Sequence, residues 1–150
     1  MKLLDAEYLA DFIAKNYGKA SKIVEVMVGA HPWVAQSIKG KLPNTSVIAT
    51  DVDEEKIEYV KEACPTLEVV LDDILAPRFD VYKAAELIYS MRPPPELVPE
   101  LVKLASKADC DLLIRPYSGE VAGYSFSQMD GWKIVKHNTA SFYLLKKEHQ

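Results

Sequence analysis

Cysteine is scarce in this chain of 150 residues: only Cys64 and Cys110 occur. They lie far apart and form no Cys-x-x-Cys pair, so neither a disulfide framework nor a zinc site can be read from them. The expectation is two free thiols in a reducing cytoplasm. Histidine is nearly as sparse. His31, His137 and His149 are scattered, and no metal-ligand spacing, Ser-His-Asp arrangement or phosphate-binding P-loop is visible. No apolar run approaches the roughly 18 residues that a membrane-spanning helix requires. Met1 to Ala10 also lacks a signal-peptide core, so no membrane association is expected. Positive charge is not in excess: the formal net charge is −4, which argues against a broad nucleic-acid-binding surface. Glycine numbers six in all, and its shortage matters most in one loop.

What is present is a steady alternation of apolar runs and helical stripes. With 49% hydrophobic and 27% charged residues, the expectation is one domain over residues 1–150, a size that buries roughly 70% of the unfolded surface. A first helix carries Leu4, Leu9, Phe12, Ile13 and Tyr17 on one face, and Gly18 suits a left-handed position just past its end. Ile23 to Val28 then reads as a strand without polar alternation except at Glu25, as buried parallel strands do. Gly29-Ala30-His31-Pro32 makes a turn, and Val34 to Lys39 begins a helix that Pro32 can open.

Ser46 to Asp51 is a second strand, followed by an acid-started helix from Asp53 that Pro65 stops. Leu67 to Leu71 is a third strand, ending in Asp72-Asp73. Ile74 to Lys83, with Pro77, is a linker with one helical turn. Ala85 to Ser90 is a fourth strand, and Arg92-Pro93-Pro94-Pro95 must be extended. The helix beginning near Leu97 tolerates Pro99 only in its first turn. Asp111 to Arg115 is a fifth strand, Tyr117 to Gln128 a loop, and Trp132–His137 with Ser141–Leu145 a hairpin. The pattern predicts a three-layer α/β/α sandwich, with a mostly parallel Rossmann-like sheet and a C-terminal antiparallel hairpin.

In such a sheet ligands bind beyond the carboxyl ends of the strands, at the switch point. The side chains arriving there are Gly29 and His31, Asp51, Asp72 and Asp73, Ser90 and Arg92, and Arg115 and Tyr117. Asp51 can accept both hydroxyls of a ribose, or cap the next helix. The Asp72-Asp73 pair offers a metal or adenine contact, or a turn cap. Glu25 within an apolar strand must either accept loop N–H groups or reach the ligand at the strand's end, unless it faces solvent. Arg92 and Arg115 would form a positive mouth for a phosphate or carboxylate, or pair with Asp72, Asp73 or Glu120.

The element order resembles that of class I S-adenosylmethionine-dependent methyltransferases over nearly the whole chain. Glu25-Val26-Met27-Val28-Gly29-Ala30-His31 resembles that family's glycine-rich first motif, matching it at Glu25 and Gly29, with Met27 and His31 where glycines are expected. The resemblance implies S-adenosylmethionine as cofactor, with Glu25, Gly29, Asp51 and Asp73 on the cofactor side: Asp51 at the ribose, Asp73 at the adenine amino group. Tyr89-Ser90-Met91-Arg92-Pro93-Pro94 lies where amino-methylating members carry Asn-Pro-Pro-Tyr or Asp-Pro-Pro-Tyr. Arg92 replaces the acid or amide, so no catalytic residue carries over. Ser90, Arg92, Arg115 and Tyr117 are left as substrate-side candidates, for a small-molecule or anionic substrate, with a partner subunit as another means of recognition. The chain also resembles a small, mainly archaeal family of uncharacterised Rossmann-like proteins, which implies no particular activity. The alternative to a methyltransferase is a catalytically inactive module that binds a nucleotide-like metabolite or a protein. A degenerate NAD site comes third, since it lacks the glycines.

Overall fold

A computed structural model describes residues 3–116, 131–137 and 140–149. Its element order is α1 (Leu3–Asn16), β1 (Lys22–Val26), α2 (Trp33–Lys41), β2 (Ser46–Asp51), α3 (Glu54–Ala63), β3 (Glu68–Leu71), α4 (Phe79–Tyr82), β4 (Leu87–Met91), α5 (Val98–Ala108), β5 (Asp111–Arg115), β6 (Trp132–His137) and β7 (Ala140–Leu145). Single turns of tighter helix occupy Pro95–Leu97 and Lys147–His149. The strands form one sheet in the order β3-β2-β1-β4-β5-β7-β6. β1 to β5 pair in parallel, while β7 runs antiparallel to both β5 and β6. The expected architecture is therefore the observed one. The loop from Tyr117 to Gln128 and the Asn138-Thr139 connection lie outside the described residues.

Both sheet faces are covered, because successive side chains of each strand point to opposite sides. Ile23, Tyr89, Leu113 and Phe142 pack against Leu9 and Ile13 of α1 and Val34 and Ile38 of α2. Val24, Val26, Ile88, Leu112 and Ile114 pack against Val81 and Tyr82 of α4 and Leu101 and Leu104 of α5. Two buried faces explain why these strands read as continuous apolar runs. Cys64 and Cys110 are buried and unpaired with each other, and burial pushes the Cys110 thiol up to about 12.

Local details depart from expectation in instructive ways. β1 stops at Val26 rather than Val28, because Met27 takes a left-handed backbone with φ +62°. Gly18 does not adopt a left-handed conformation; among the described residues the glycines with positive φ are Gly29 and Gly131. Gly18 is required for space instead, since a Cβ there would lie 2.9 Å from the Ala14 carbonyl oxygen. Pro99 sits in the first turn of α5, where no intrahelical N–H is missed. The chain reverses its direction of progress across the sheet between β1 and β4, its neighbours being β2 on one side and β4 on the other. The ends of these strands therefore frame the crevice.

Candidate functional site

The loop after β1 is tied down by hydrogen bonds to its neighbour β2. The Val28 N–H donates to the Thr50 carbonyl at 2.9 Å and the His31 N–H to the Val28 carbonyl at 3.3 Å. The Gly29 N–H donates to Asp51 Oδ2 at 2.8 Å, and the Asp53 N–H donates to Asp51 Oδ1 at 2.9 Å. Asp51 is thus a brace between two loops rather than the cap of α3. That cap is Asp53, whose carboxylate accepts the N–H groups of Glu55 and Lys56. Each Asp51 oxygen accepts one N–H and keeps a lone pair for a further donor. Gly29, with φ +62°, permits the approach.

Two chambers open along the crevice, and Met27 is the wall they share. The first has a volume of about 160 Å³ and is lined by acids, Asp51, Asp72 and Asp73, with apolar walls from Val52, Ile74, Leu75 and Leu97. Val52 and Leu75 are 64% and 66% exposed, unusual for apolar side chains flanking a cavity. Asp73 Oδ1 accepts the Leu75 N–H at 2.9 Å, which shapes the turn over this chamber. Asp72 is otherwise engaged. The Tyr82 hydroxyl donates to it at 2.6 Å, the Arg78 N–H at 3.1 Å, and the Arg78 Nε lies 3.5 Å away. The arginine paired with Asp72 is therefore Arg78, a residue the sequence did not single out. Among the described residues no group of three metal-ligating side chains forms around the Asp72-Asp73 pair or elsewhere.

The second chamber, of about 320 Å³, is lined by Met27, Val28, Gly29, Ala30, His31, Lys56, Met91 and Arg92. The titratable side chains among its described lining residues are His31, Lys56 and Arg92, all basic. Burial lowers the pKa of His31, and the Arg92 and Lys56 charges add to that effect. Arg92 has a left-handed backbone, φ +52°, and its N–H donates to the Arg115 carbonyl at 2.6 Å. Lys56 was not anticipated. The available signal was its place three residues after the Asp53 cap, in the first turn of α3 facing the loop.

Of the candidates, Gly29, His31, Asp51, Asp72, Asp73 and Arg92 come together at the crevice. Glu25 does not line either chamber. It is 1% exposed, and the Tyr89 hydroxyl donates to its Oε1 at 2.7 Å, replacing the loop N–H groups expected there. Burial pushes its carboxyl up to about 8; the Tyr89 hydrogen bond opposes the shift and the Asp51 charge adds to it. Glu25 Oε2 has no hydrogen-bond partner among the described residues. Ser90 is also set beneath the crevice, donating to the Val26 carbonyl at 2.8 Å. Arg115 pairs in register with Met91 but does not line the basic chamber; its Nη1 donates to the Pro116 carbonyl at 3.0 Å. The two arginines are adjacent in backbone, yet only one reaches this chamber. Tyr117 lies outside the described residues.

Solved structures share this fold at low sequence identity. A Staphylococcus aureus protein provisionally assigned as a caffeoyl-CoA O-methyltransferase superposes with a TM-score of 0.75 at 12% identity, covering 97% of this chain and 84% of that one. A Methanococcus maripaludis protein, provisionally assigned as an S-adenosyl-L-methionine-dependent methyltransferase, gives 0.69 at 12% identity, with 98% and 87% covered. The fibrillarin/Nop5p complex gives 0.66 at 13% identity, with 93% and 82% covered. The architecture is thus methyltransferase-like. In sequence, a UPF0146 protein of Archaeoglobus fulgidus is 36% identical over 141 residues, covering 94% of this chain and 95% of its own. A relative from Methanocaldococcus jannaschii is 30% identical over 142 residues, with 95% and 94% covered. The profile of the uncharacterised protein family UPF0146 matches residues 6–147, and the chain belongs to that family.

Proposed function

We propose that the crevice binds S-adenosylmethionine through its nucleoside half and that the chain acts as a methyltransferase on a small molecule. The observation that carries this is Asp51, a buried carboxylate at the end of β2 whose two oxygens are each held by a backbone N–H. Held in this way it is preorganised to accept vicinal ribose hydroxyls with its remaining lone pairs. Asp73 stands at the far side of the acidic chamber to accept an adenine amino group. Val52 and Leu75 supply the apolar surfaces between which a planar ring is desolvated. Adenine and ribose bring donors and no negative charge, which suits a chamber lined by carboxylates.

When bound, the cofactor supplies an electrophilic methyl on a sulfonium, so the protein's share of the work is positioning and exclusion of water. His31 is the titratable side chain nearest to hand for receiving a proton from an acceptor. Its lowered pKa keeps it neutral at physiological pH, the form in which it accepts.

A calorimetric or thermal-shift titration with S-adenosylmethionine and S-adenosylhomocysteine tests the reading. Ligand-dependent stabilisation is expected, growing with concentration as mass action requires. No stabilisation at millimolar ligand would overturn it. A second reading, binding without chemistry, is favoured by Arg92 standing where amino-methylating enzymes carry an acid or amide. Native mass spectrometry of protein purified from cells separates the two: a retained nucleotide-like metabolite without turnover supports the second.

A further inference from the structure

The glycine-rich loops that bind phosphates or a cofactor's tail do so with backbone N–H groups. In this loop three of those donors are already used: Val28, Gly29 and His31 direct their N–H groups to Thr50, Asp51 and Val28 respectively. Recognition in the larger chamber therefore draws on its side chains. The basic side chains that line it are His31, Lys56 and Arg92, and no carboxylate is among its described lining residues. Lys56 is exposed and lines the chamber.

Backbone strain converges on the same place. Four non-glycine residues have positive φ among those described: Met27, Ala84, Arg92 and Asp109. Two of them, Met27 and Arg92, line this chamber, and Gly29 with φ +62° lines it as well. A left-handed conformation costs a non-glycine residue about 1–2 kcal/mol. It persists where surrounding structure enforces it, and such residues cluster at ligand sites. Arg92 is presented to the crevice by this conformation, with its N–H secured on β5.

The chemistry of the lining selects among ligand groups. A zwitterionic amino-acid tail brings an ammonium with its carboxylate, and no acid among the described lining residues would receive that ammonium. A phosphate brings only negative charge and several acceptor oxygens, which match a guanidinium, an ammonium and an imidazole. We infer that the chamber walled by His31, Lys56 and Arg92 is a subsite for the phosphate group of a small phosphorylated ligand. This deepens the proposed methyltransferase reading only in one case, where the phosphate belongs to the methyl acceptor; the subsite itself stands on the chamber. The other source is the phosphate of a nucleotide whose nucleoside fills the acidic chamber.

Titration calorimetry on the full chain at low ionic strength decides, with sodium pyrophosphate and adenosine 5′-monophosphate as probes, each with and without saturating S-adenosylhomocysteine. Saturable pyrophosphate binding is expected, weakened about tenfold in Lys56→Ala and about 100-fold in Lys56→Ala/Arg92→Ala, as loss of one and two charge-assisted contacts requires. Pyrophosphate binding that persists beside S-adenosylhomocysteine places the phosphate on a separate substrate. Adenosine 5′-monophosphate binding tighter than adenosine, and competitive with S-adenosylhomocysteine, places it on a nucleotide. Either supports the subsite. Absence of pyrophosphate binding, or affinity unchanged in Lys56→Ala, overturns it. Lys56 is exposed, so this single variant keeps the fold even if the double variant does not. Binding of S-adenosylhomocysteine reads the acidic chamber separately, so the two readings fail independently.

Discussion

The two chambers of the crevice share one wall, Met27, and differ in almost everything else. The smaller is acidic and apolar, braced by Asp51 and shaped by Asp73; the larger is basic, walled by residues held in left-handed conformations. In the smaller chamber the polar side chains are fixed by hydrogen bonds to backbone N–H groups. In the larger, the N–H groups of Val28, Gly29 and His31 are consumed within the loop or by β2 and its end, and basic side chains dominate the lining. One crevice thus offers a neutral, donor-rich group one end and an anion the other. A methyltransferase-like fold does not by itself produce this polarity, which depends on Lys56 and Arg92 standing opposite Asp51, Asp72 and Asp73.

The largest effect is expected at the brace. Asp51→Ala leaves the N–H groups of Gly29 and Asp53 without their acceptor, which costs about 2–6 kcal/mol of stability at about 1–3 kcal/mol for each stranded group. Nucleoside affinity should fall about 100-fold or more. Denaturant unfolding and calorimetry with S-adenosylhomocysteine measure both. If nucleoside binding survives while the protein is destabilised, the acidic chamber is architecture and the contrast between the chambers loses its functional meaning.

Glu25, under the loop, comes next. Its carboxyl is pushed up to about 8 from the usual 4.5. Between those values the folded state keeps a proton that the unfolded chain has released, so its contribution is complete below pH 4.5 and is lost as pH rises through 8. The slope approaches about 1.4 kcal/mol per pH unit within that window. Glu25→Gln keeps an acceptor for the Tyr89 hydroxyl and cannot ionise, so its stability should fall less with pH and exceed the parent's at pH 8.5. Urea unfolding at pH 5, 6.5 and 8.5 checks it; parallel curves for parent and variant would show that Glu25 is ionised in the folded state.

Smaller consequences follow from opening the shared wall. Met27→Gly removes a left-handed methionine's strain of about 1–2 kcal/mol and loses its contact with the α4–α5 side of the core. These effects offset, so stability should move by no more than about 1 kcal/mol. With the wall gone, S-adenosylhomocysteine affinity by calorimetry should change little, because the described lining of the larger chamber offers no acid to the ammonium of its tail. Weaker binding would make Met27 itself a ligand contact. Asp73→Asn is the mildest change. It retains an acceptor for the Leu75 N–H and loses one charge-assisted contact to adenine, so affinity should fall about three- to tenfold with little change in melting temperature.

Much of the fold was legible because burial on both sheet faces imposes continuous apolar runs, and those runs stand out around Val24, Ile48, Ile88 and Leu113. The site was legible in part. Asp51, Asp73 and Arg92 were expected at the crevice because a strand end is a fixed address in this architecture, and all three line it. Lys56 and Arg78 were missed because each acts across space from a helix start or a linker. Glu25 was placed on the right strand, but its partner Tyr89 stands 64 positions later in sequence, on a strand that is adjacent only once the sheet has formed.

The order of strands and helices, the switch point and the acids at the strand ends were all determined locally, by hydrophobic period, turn chemistry and caps that operate over a few residues. Which of those side chains share a chamber was decided by tertiary structure alone. Arg92 and Arg115 are the clearest case. They end neighbouring strands, as the sequence implies, yet the left-handed backbone at Arg92 sends one into the basic chamber while Arg115 stays outside it. A dihedral of that kind is enforced by packing from both sides of the chain, and no pattern of neighbouring residues encodes it.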